Sequence, residues 1–122
     1  MAADQGLIDW VAEAMEPVGT VTKRAMMGGA TLYCDGIIFA IVSHDDVLWF
    51  KADAESDTLW DAAGCGRFTY DMGGKTGSMN YRRAPDDAYD DPDELRRWGL
   101  LGLDAGRRAP AKKPKKGPRR SR

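Results

Sequence analysis

Residues 24–43 read RAMMGGATLYCDGIIFAIVS, and this stretch decides the fold class. Asp35-Gly36 separates two runs that are rich in strand-forming residues. An Asp-Gly pair between such runs predicts a two-residue hairpin, because both turn residues adopt positive φ. The run IIFAIVS at 37–43 is apolar on both faces, which predicts a central strand covered on both sides. We therefore expect an antiparallel sheet at the core of the domain.

Further strands are predicted at 20–27, 47–52, 67–72 and 78–82. The last two alternate apolar and polar side chains, which is typical of half-buried strands with one wet face. In the last strand, Met79 and Tyr81 share one side, whereas Ser78, Asn80 and Arg82 are expected to face water. The sheet thus has about five to six strands.

Apolar residues at helical spacing predict three helices, at 4–16, 53–63 and 91–103. Asp53 is expected to cap the second helix, and Asp91 with Pro92 starts the third. Gly99 and Gly102 each weaken the third helix by about 1 kcal/mol relative to alanine, so its end is expected to fray. The predicted fold class is α+β, with an N-terminal helix, a short middle helix and a C-terminal helix packed on the antiparallel sheet.

The charge of the chain is divided between two segments. All 19 acidic residues lie within 1–106, whereas nine of the 18 lysines and arginines lie within 107–122. Residues 1–106 therefore form an acidic domain with a net charge of −10, and residues 107–122 form a Lys/Arg/Pro-rich tail with +9. The tail lacks large apolar residues, so we expect it to be disordered. It could neutralise phosphates of DNA or RNA without reading bases, through Arg107, Arg108, Lys112, Lys113, Lys115, Lys116, Arg119, Arg120 and Arg122. The alternatives are a solubilising tail and a tail that folds back on the acidic domain.

A glycine-rich stretch, DMGGKTGSMNY at 71–81, resembles a phosphate-binding loop at first sight. The first glycine of that motif would fall at Thr69, and the segment after the loop alternates like a strand. Without a helix N-terminus after it, the loop lacks the backbone amides that hold phosphate. We therefore expect a hairpin turn with Lys75 at its tip, and no cofactor.

Catalytic and metal-binding constellations are not evident. The chain has one histidine, His44, and two cysteines, Cys34 and Cys65, with no C-x-x-C spacing. A zinc site needs about four ligands, so we expect no metal site. Both thiols are expected to be buried and reduced. No apolar run reaches the ~20 residues of a membrane helix, and the N-terminus lacks the pattern of a secretory signal, so the expected location is the cytoplasm.

Residues 24–40, RAMMGGATLYCDGIIFA, also resemble the TfoX N-terminal domain family, whose pattern runs roughly R-x-M-F-G-G-x-G-L-Y-x-D-G-x-x-F-A. The matching positions are Arg24, Met26, Gly28, Gly29, Leu32, Tyr33, Asp35, Gly36, Phe39 and Ala40. Later segments of the chain match later parts of the family pattern in the same order, so that the resemblance covers about residues 21–103. Met27, Thr31 and Arg82 depart from the family pattern, which suggests a divergent member.

The resemblance implies a small α+β domain and a role in regulation. The family takes its name from regulators of natural competence, which act with the cyclic-AMP receptor protein at certain promoters. Longer relatives carry a second, C-terminal domain where this chain has its basic tail. The resemblance provides no catalytic residues, so we expect a non-enzymatic interaction protein rather than an enzyme.

Three functions follow from these patterns. The first is a transcription or competence co-regulator whose tail contacts nucleic acid non-specifically. The second is a protein-binding module without a DNA role, whose target is RNA polymerase or a transcription factor. Its expected contact residues are Arg24, Met27, Gly28, Gly29 and Lys75, although tight bends and core packing also explain the glycines and the methionine. The third is a small enzyme. A monomer or a weak homodimer is expected.

Overall fold

Turn-forming and capping residues divide the chain into three helices and six strands. The computed structural model describes residues 5–26, 29–71, 74 and 76–109. The helices are α1 (Gln5–Met15), α2 (Ala54–Ala62) and α3 (Pro92–Arg108), and a short 3₁₀ helix covers Asp86–Tyr89. The strands are β1 (Val21–Met26), β2 (Gly29–Cys34), β3 (Ile37–Val42), β4 (Leu48–Lys51), β5 (Arg67–Asp71) and β6 (Thr76–Arg83).

The strands form one antiparallel sheet in the order β1-β2-β3-β4-β6-β5. The predicted hairpin between β2 and β3 is confirmed, since Asp35 and Gly36 have φ values of 51° and 86°. Between the same strands the pairing shifts by one residue, so that Phe39 and Ala40 together lie opposite Leu32. This bulge turns two successive side chains of β3 toward the core.

All three helices pack on one face of the sheet. Ile8 and Val11 of α1, Trp60 of α2 and Leu95 of α3 belong to the same buried cluster as the sheet residues Leu32 and Phe50. Aromatic rings connect these layers, because Trp60 lies 5.9 Å from Phe50 and 4.8 Å from Trp98 between ring centroids. The predicted α+β class is confirmed.

Strand β3 is central, as predicted, but it is covered by helices on one face only. Phe39, Ala40 and Val42 join the helix-side cluster. Ile41 points to the opposite face and is nevertheless only 2% exposed. Its partners in register, Thr31 and Trp49, flank it on the neighbouring strands. Neighbouring strands, rather than a second helix layer, therefore account for the cover at Ile41.

The third helix does not fray at its glycines. It continues without a break to Arg108, and the amide of Ala109 still donates to the carbonyl of Ala105 at 3.0 Å. Gly102 permits a close approach to β3, since an added Cβ would lie 2.6 Å from the carbonyl oxygen of Phe39. The expected fraying was wrong, because packing on the sheet offsets the low helix propensity of glycine. Among the described residues, no helix is long and apolar enough to cross a membrane.

Candidate functional site

The end of α3 holds the first two residues of the predicted nucleic-acid tail. Arg107 and Arg108 form the last two residues of α3, which therefore continues past position 106. Arg108 donates to both carboxylate oxygens of Asp53, at 2.8 and 3.0 Å, and lies 3.3 Å from Glu55. Arg107 is exposed and pairs with Asp104 at 3.5 Å. The remaining seven predicted contacts lie outside the described residues: Lys112, Lys113, Lys115, Lys116, Arg119, Arg120 and Arg122.

Asp53 joins the end of α3 to the start of α2. Its carboxylate accepts from the amide of Ser56 at 3.1 Å, and the Ser56 hydroxyl accepts from the amide of Asp53, which completes the predicted helix cap. The Arg108 hydrogen bonds lower the pKa of Asp53 to about 2, with the Ser56 amide adding to the effect. One carboxylate therefore fastens the last turn of α3 to the start of α2.

Of the five predicted protein-contact residues, the structure describes Arg24 and Gly29. Arg24 is exposed on the edge strand β1, and Gly29 opens β2 beside it. The strands that precede and follow Lys75, β5 and β6, lie at the opposite edge of the sheet. Met27, Gly28 and Lys75 themselves lie outside the described residues. Gly29 also has a steric role, because an added Cβ would collide with the carbonyl oxygen of Val42.

The two thiols are buried, as predicted from the sequence. Burial raises the pKa of Cys34, and the neighbouring carboxylate of Asp35 adds to this effect. Burial likewise raises the pKa of Cys65, although Arg82 opposes it. Cys34 is the last residue of β2 and His44 lies in the turn after β3, so the six-residue strand β3 separates them. Within the described part of the chain, no group of three or more potential metal ligands is found.

Arg82 forms a buried ion-pair network that the sequence analysis missed. Its side chain is 3% exposed and faces the helices, not water. The guanidinium donates to Asp61 and to the carbonyl of Cys65, both at 2.8 Å, and lies 3.2 Å from Asp57. The expectation that Arg82 faces water was wrong. Strand β6 passes beneath α2, where the carboxylates of Asp57 and Asp61 neutralise the charge of Arg82. The only signal in the sequence was the pair Asp57 and Asp61, which lie one helical turn apart.

A shallow apolar groove lies between α2 and α3. Its volume is about 430 Å³, and its lining comprises Leu59, Ala62, Ala63, Arg97, Trp98 and Leu101. Leu59 is 52% exposed at the edge of this groove. The Arg97 guanidinium lies 4.8 Å from the ring centre of Trp98 and forms part of the rim. The groove could receive an apolar side chain of another protein.

The face of the sheet opposite the helices carries aromatic and cationic side chains. We call it the open face, and define it by Arg24, Tyr33, Trp49, Lys51, Phe68, Tyr81 and Arg83. Register and alternation assign these residues, since the neighbouring positions Leu32, Phe50 and Arg82 contact the helix layer. A row of register partners crosses five adjacent strands on this face, and its members are Arg24, Thr31, Ile41, Trp49 and Arg83. This face could not be identified from the sequence, because its residues come from separate strands and their row can be recognised only once the strand order is known.

The comparison with known families agrees with the fold. The profile of the TfoX N-terminal domain matches residues 5–106, which is most of the 122-residue chain and covers α1 to nearly the end of α3. No curated protein sequence shows a significant match to the chain. The chain therefore belongs to the TfoX N-terminal domain family.

Proposed function

We propose that this chain is a non-enzymatic transcription or competence co-regulator whose basic tail contacts nucleic acid without reading base sequence. Membership of the TfoX N-terminal domain family indicates a competence-related regulatory role. The observation that carries the nucleic-acid part is the charge division, with nine cations within 107–122 and no acidic residue there. Lysines and arginines that neutralise phosphates release counterions, which drives binding at low salt.

The end of α3 supports a division of labour within this cationic segment. Arg108 is held by Asp53 and Glu55, so its charge is already neutralised within the domain. The helix ends at Arg108, and seven cations follow within 110–122. We therefore assign phosphate contact to these seven residues and a structural role to Arg108. This assignment reduces the nine phosphate-contacting residues expected from the sequence to seven.

The test compares the full chain with a tail-neutral variant, in which all seven cations within 110–122 are replaced by glutamine. Binding of a fluorescent DNA duplex is titrated at several salt concentrations. The matched control is a chain in which residues 110–122 are scrambled, because binding without base readout depends on charge and not on order. The full chain and the scrambled chain should lose affinity with salt with a slope of log K against log salt of about −6, since about 0.9 counterions are released for each of the seven contacts on duplex DNA.

The tail-neutral variant should show a slope near zero and an affinity at least about tenfold weaker at low salt. Equal affinities for the full chain and the tail-neutral variant would refute the tail as the site of phosphate contact. Weak binding by the scrambled chain would instead indicate that the order of tail residues is read.

A second candidate function is protein binding without nucleic acid. The observation in its favour is the groove between α2 and α3, with the exposed Leu59 at its edge. In this second function, the groove receives an apolar side chain of RNA polymerase or of a transcription factor. Leu59→Glu should abolish binding of the purified partner to the immobilised chain, whereas Thr58→Glu, at the preceding exposed position of α2, should not. Equal binding by both variants would exclude the groove.

A further inference from the structure

The open face carries three cationic side chains on a domain whose net charge is negative. Its strand residues include Arg24, Lys51 and Arg83, and none of its defining residues is acidic. Apart from Asp71 at the end of β5, the acidic residues that the structure describes lie in the helices, in their connections and in turns, for example Asp53 at the start of α2 and Asp104 in α3. Since residues 1–106 carry a net charge of −10, this segregation produces a local cationic surface against the overall charge.

Aromatic rings lie between these cations. Trp49 is half-buried and contacts Phe68 edge-on at a centroid distance of 5.0 Å. The guanidinium of Arg83 lies 5.9 Å from the ring centre of Trp49, and the ammonium of Lys51 lies 5.3 Å from that of Tyr81. Burial raises the pKa of Tyr81, and the phenol of Tyr33 adds to this effect. Cationic and aromatic side chains thus lie side by side on the same face.

We propose that the open face binds single-stranded nucleic acid, with bases stacking on Trp49, Arg83 and Tyr33 and phosphates pairing with Arg24 and Lys51. Aromatic rings and guanidinium planes on a sheet are general stacking platforms for unpaired bases. The row from Arg24 to Arg83 crosses five strands and is about 19 Å long at the usual spacing between strands. This length suits a short single strand of several nucleotides.

A single strand fits these observations better than a duplex or an acidic peptide. The bases of a duplex are stacked on one another, so their faces are closed to Trp49 and Tyr33. An acidic peptide would satisfy the cations but would leave the aromatic surfaces without a planar partner. A single strand supplies both phosphates and unpaired bases, which matches both kinds of side chain on the open face. This inference is independent of the proposed role of the tail.

The experiment uses the full-length tail-neutral variant, so that the tail cannot contribute to binding. Its probe is a fluorescent oligodeoxythymidine of about 12 nucleotides, within the usual site sizes of single-strand-binding domains. Two charge reversals are compared in this background. Arg24→Glu changes the open face, and Lys23→Glu changes the adjacent residue of β1, whose side chain points to the opposite face and donates to Gln5. Both residues are exposed, and both substitutions change the net charge equally.

Arg24→Glu should weaken binding of the oligonucleotide about tenfold, whereas Lys23→Glu should change it less than about twofold. Equal effects of the two substitutions would overturn the proposal, because a general charge effect would then explain them. Failure of the tail-neutral variant to bind the oligonucleotide at low salt would overturn it as well. Neither result would affect the test of the tail, which uses duplex DNA and the tail substitutions alone.

Stacking has its own readout in tryptophan fluorescence. Trp60 and Trp98 are buried and Trp10 donates to the carbonyl of Ala88 in the helix layer, so Trp49 is the indole that a base on the open face would quench. Trp49→Phe should retain affinity within about threefold but lose the quenching, and Trp49→Ala should weaken binding about tenfold. Unchanged quenching in Trp49→Phe would contradict base stacking at this site.

A competition between the oligonucleotide and polyglutamate tests the alternative of an acidic protein partner. Binding of polyglutamate in preference to the oligonucleotide would overturn the proposal in favour of such a partner.

Discussion

Arg82 neutralises two carboxylates of α2 from within the sheet. Its guanidinium is held by Asp61, Asp57 and the carbonyl of Cys65, and only 3% of the residue is exposed. Asp61 remains 68% exposed at its side chain, so it can return to water if the arginine is removed. The Cys65 carbonyl would lose its charged donor, and Asp57 would lose a close cation. The network therefore fastens α2 and the start of β5 to β6.

Arg82→Met should lower the free energy of unfolding by about 2–3 kcal/mol, because a buried carbonyl loses its donor and Asp57 loses the nearer of its two cations, keeping only Arg67 at 3.6 Å. The matched control is Arg83→Met, which changes the adjacent exposed arginine of β6 and should cost less than about 1 kcal/mol. Urea denaturation of both variants measures the difference. Equal losses in the two variants would show that the buried network contributes nothing beyond an ordinary surface charge.

Asp53 connects the stability of the domain to pH. Its pKa is about 2 in the folded chain, against an ordinary value of 3.8, mainly because Arg108 donates to it. A carboxyl with a lowered pKa stabilises the fold above its ordinary pKa, and this contribution is lost as the pH falls from 3.8 toward 2. The titration is therefore confined to the acid range.

Asp53→Asn should keep the helix cap, since asparagine caps helices about as well as aspartate, but should remove this titration. Between pH 3.8 and 2, the variant should lose stability less steeply with falling pH than the unmodified chain. Chemical denaturation across this range measures the slopes. Thr58→Asn, a change between uncharged residues at an exposed position of α2, serves as control and should retain the original slope. Parallel curves for the unmodified chain and Asp53→Asn would contradict the assignment.

At the scale of elements, α3 lies closer to the sheet than a helix with ordinary side chains could. Gly99, Gly102 and Gly106 recur along one side of the helix, and an added Cβ at each would meet a neighbouring atom. The neighbours differ in kind, however. At Gly99 the nearest atom is the side-chain sulfur of Met15, whereas at Gly102 it is the backbone oxygen of Phe39. A flexible side chain can move away, and a strand backbone cannot.

Gly102→Ala should lower the free energy of unfolding by about 2–3 kcal/mol, because the methyl group pushes α3 away from β3. Gly99→Ala should change it by less than about 1 kcal/mol, because the gain in helix propensity offsets the displacement of Met15. Both variants make the same substitution in the same helix, so their difference isolates the packing. A stabilising Gly102→Ala would refute close packing of α3 on the sheet.

The elements that could be predicted from sequence are those set by local chemistry. Asp35-Gly36 forms the expected turn, and Asp53 and Asp91 cap α2 and α3 as expected. The place of β6 between β4 and β5 could not be predicted, because it depends on contacts between distant segments. For the same reason neither the burial of Arg82 nor the row on the open face was foreseen. The contact residues expected in the tail mostly lie outside the described residues and stay predictions.

At the scale of the whole molecule, charge is separated into three regions. The helix layer is acidic, the open face carries Arg24, Lys51 and Arg83 among aromatic rings, and residues 110–122 add seven more cations. Arg108 belongs to the first region, because Asp53 and Glu55 neutralise it. Phosphates should therefore approach the tail and the open face and avoid the helix layer. This separation is the basis of both proposals.

Amide chemical-shift mapping of the ¹⁵N-labelled full chain, titrated with the oligodeoxythymidine at low salt, tests this account most directly. The account predicts changes for residues 110–122, for strand residues around Arg24 and Arg83 and for the indole of Trp49. The amides of α1 and α2 should remain unchanged. Shifts that cluster at the groove between α2 and α3, with the tail and the open face unaffected, would contradict it.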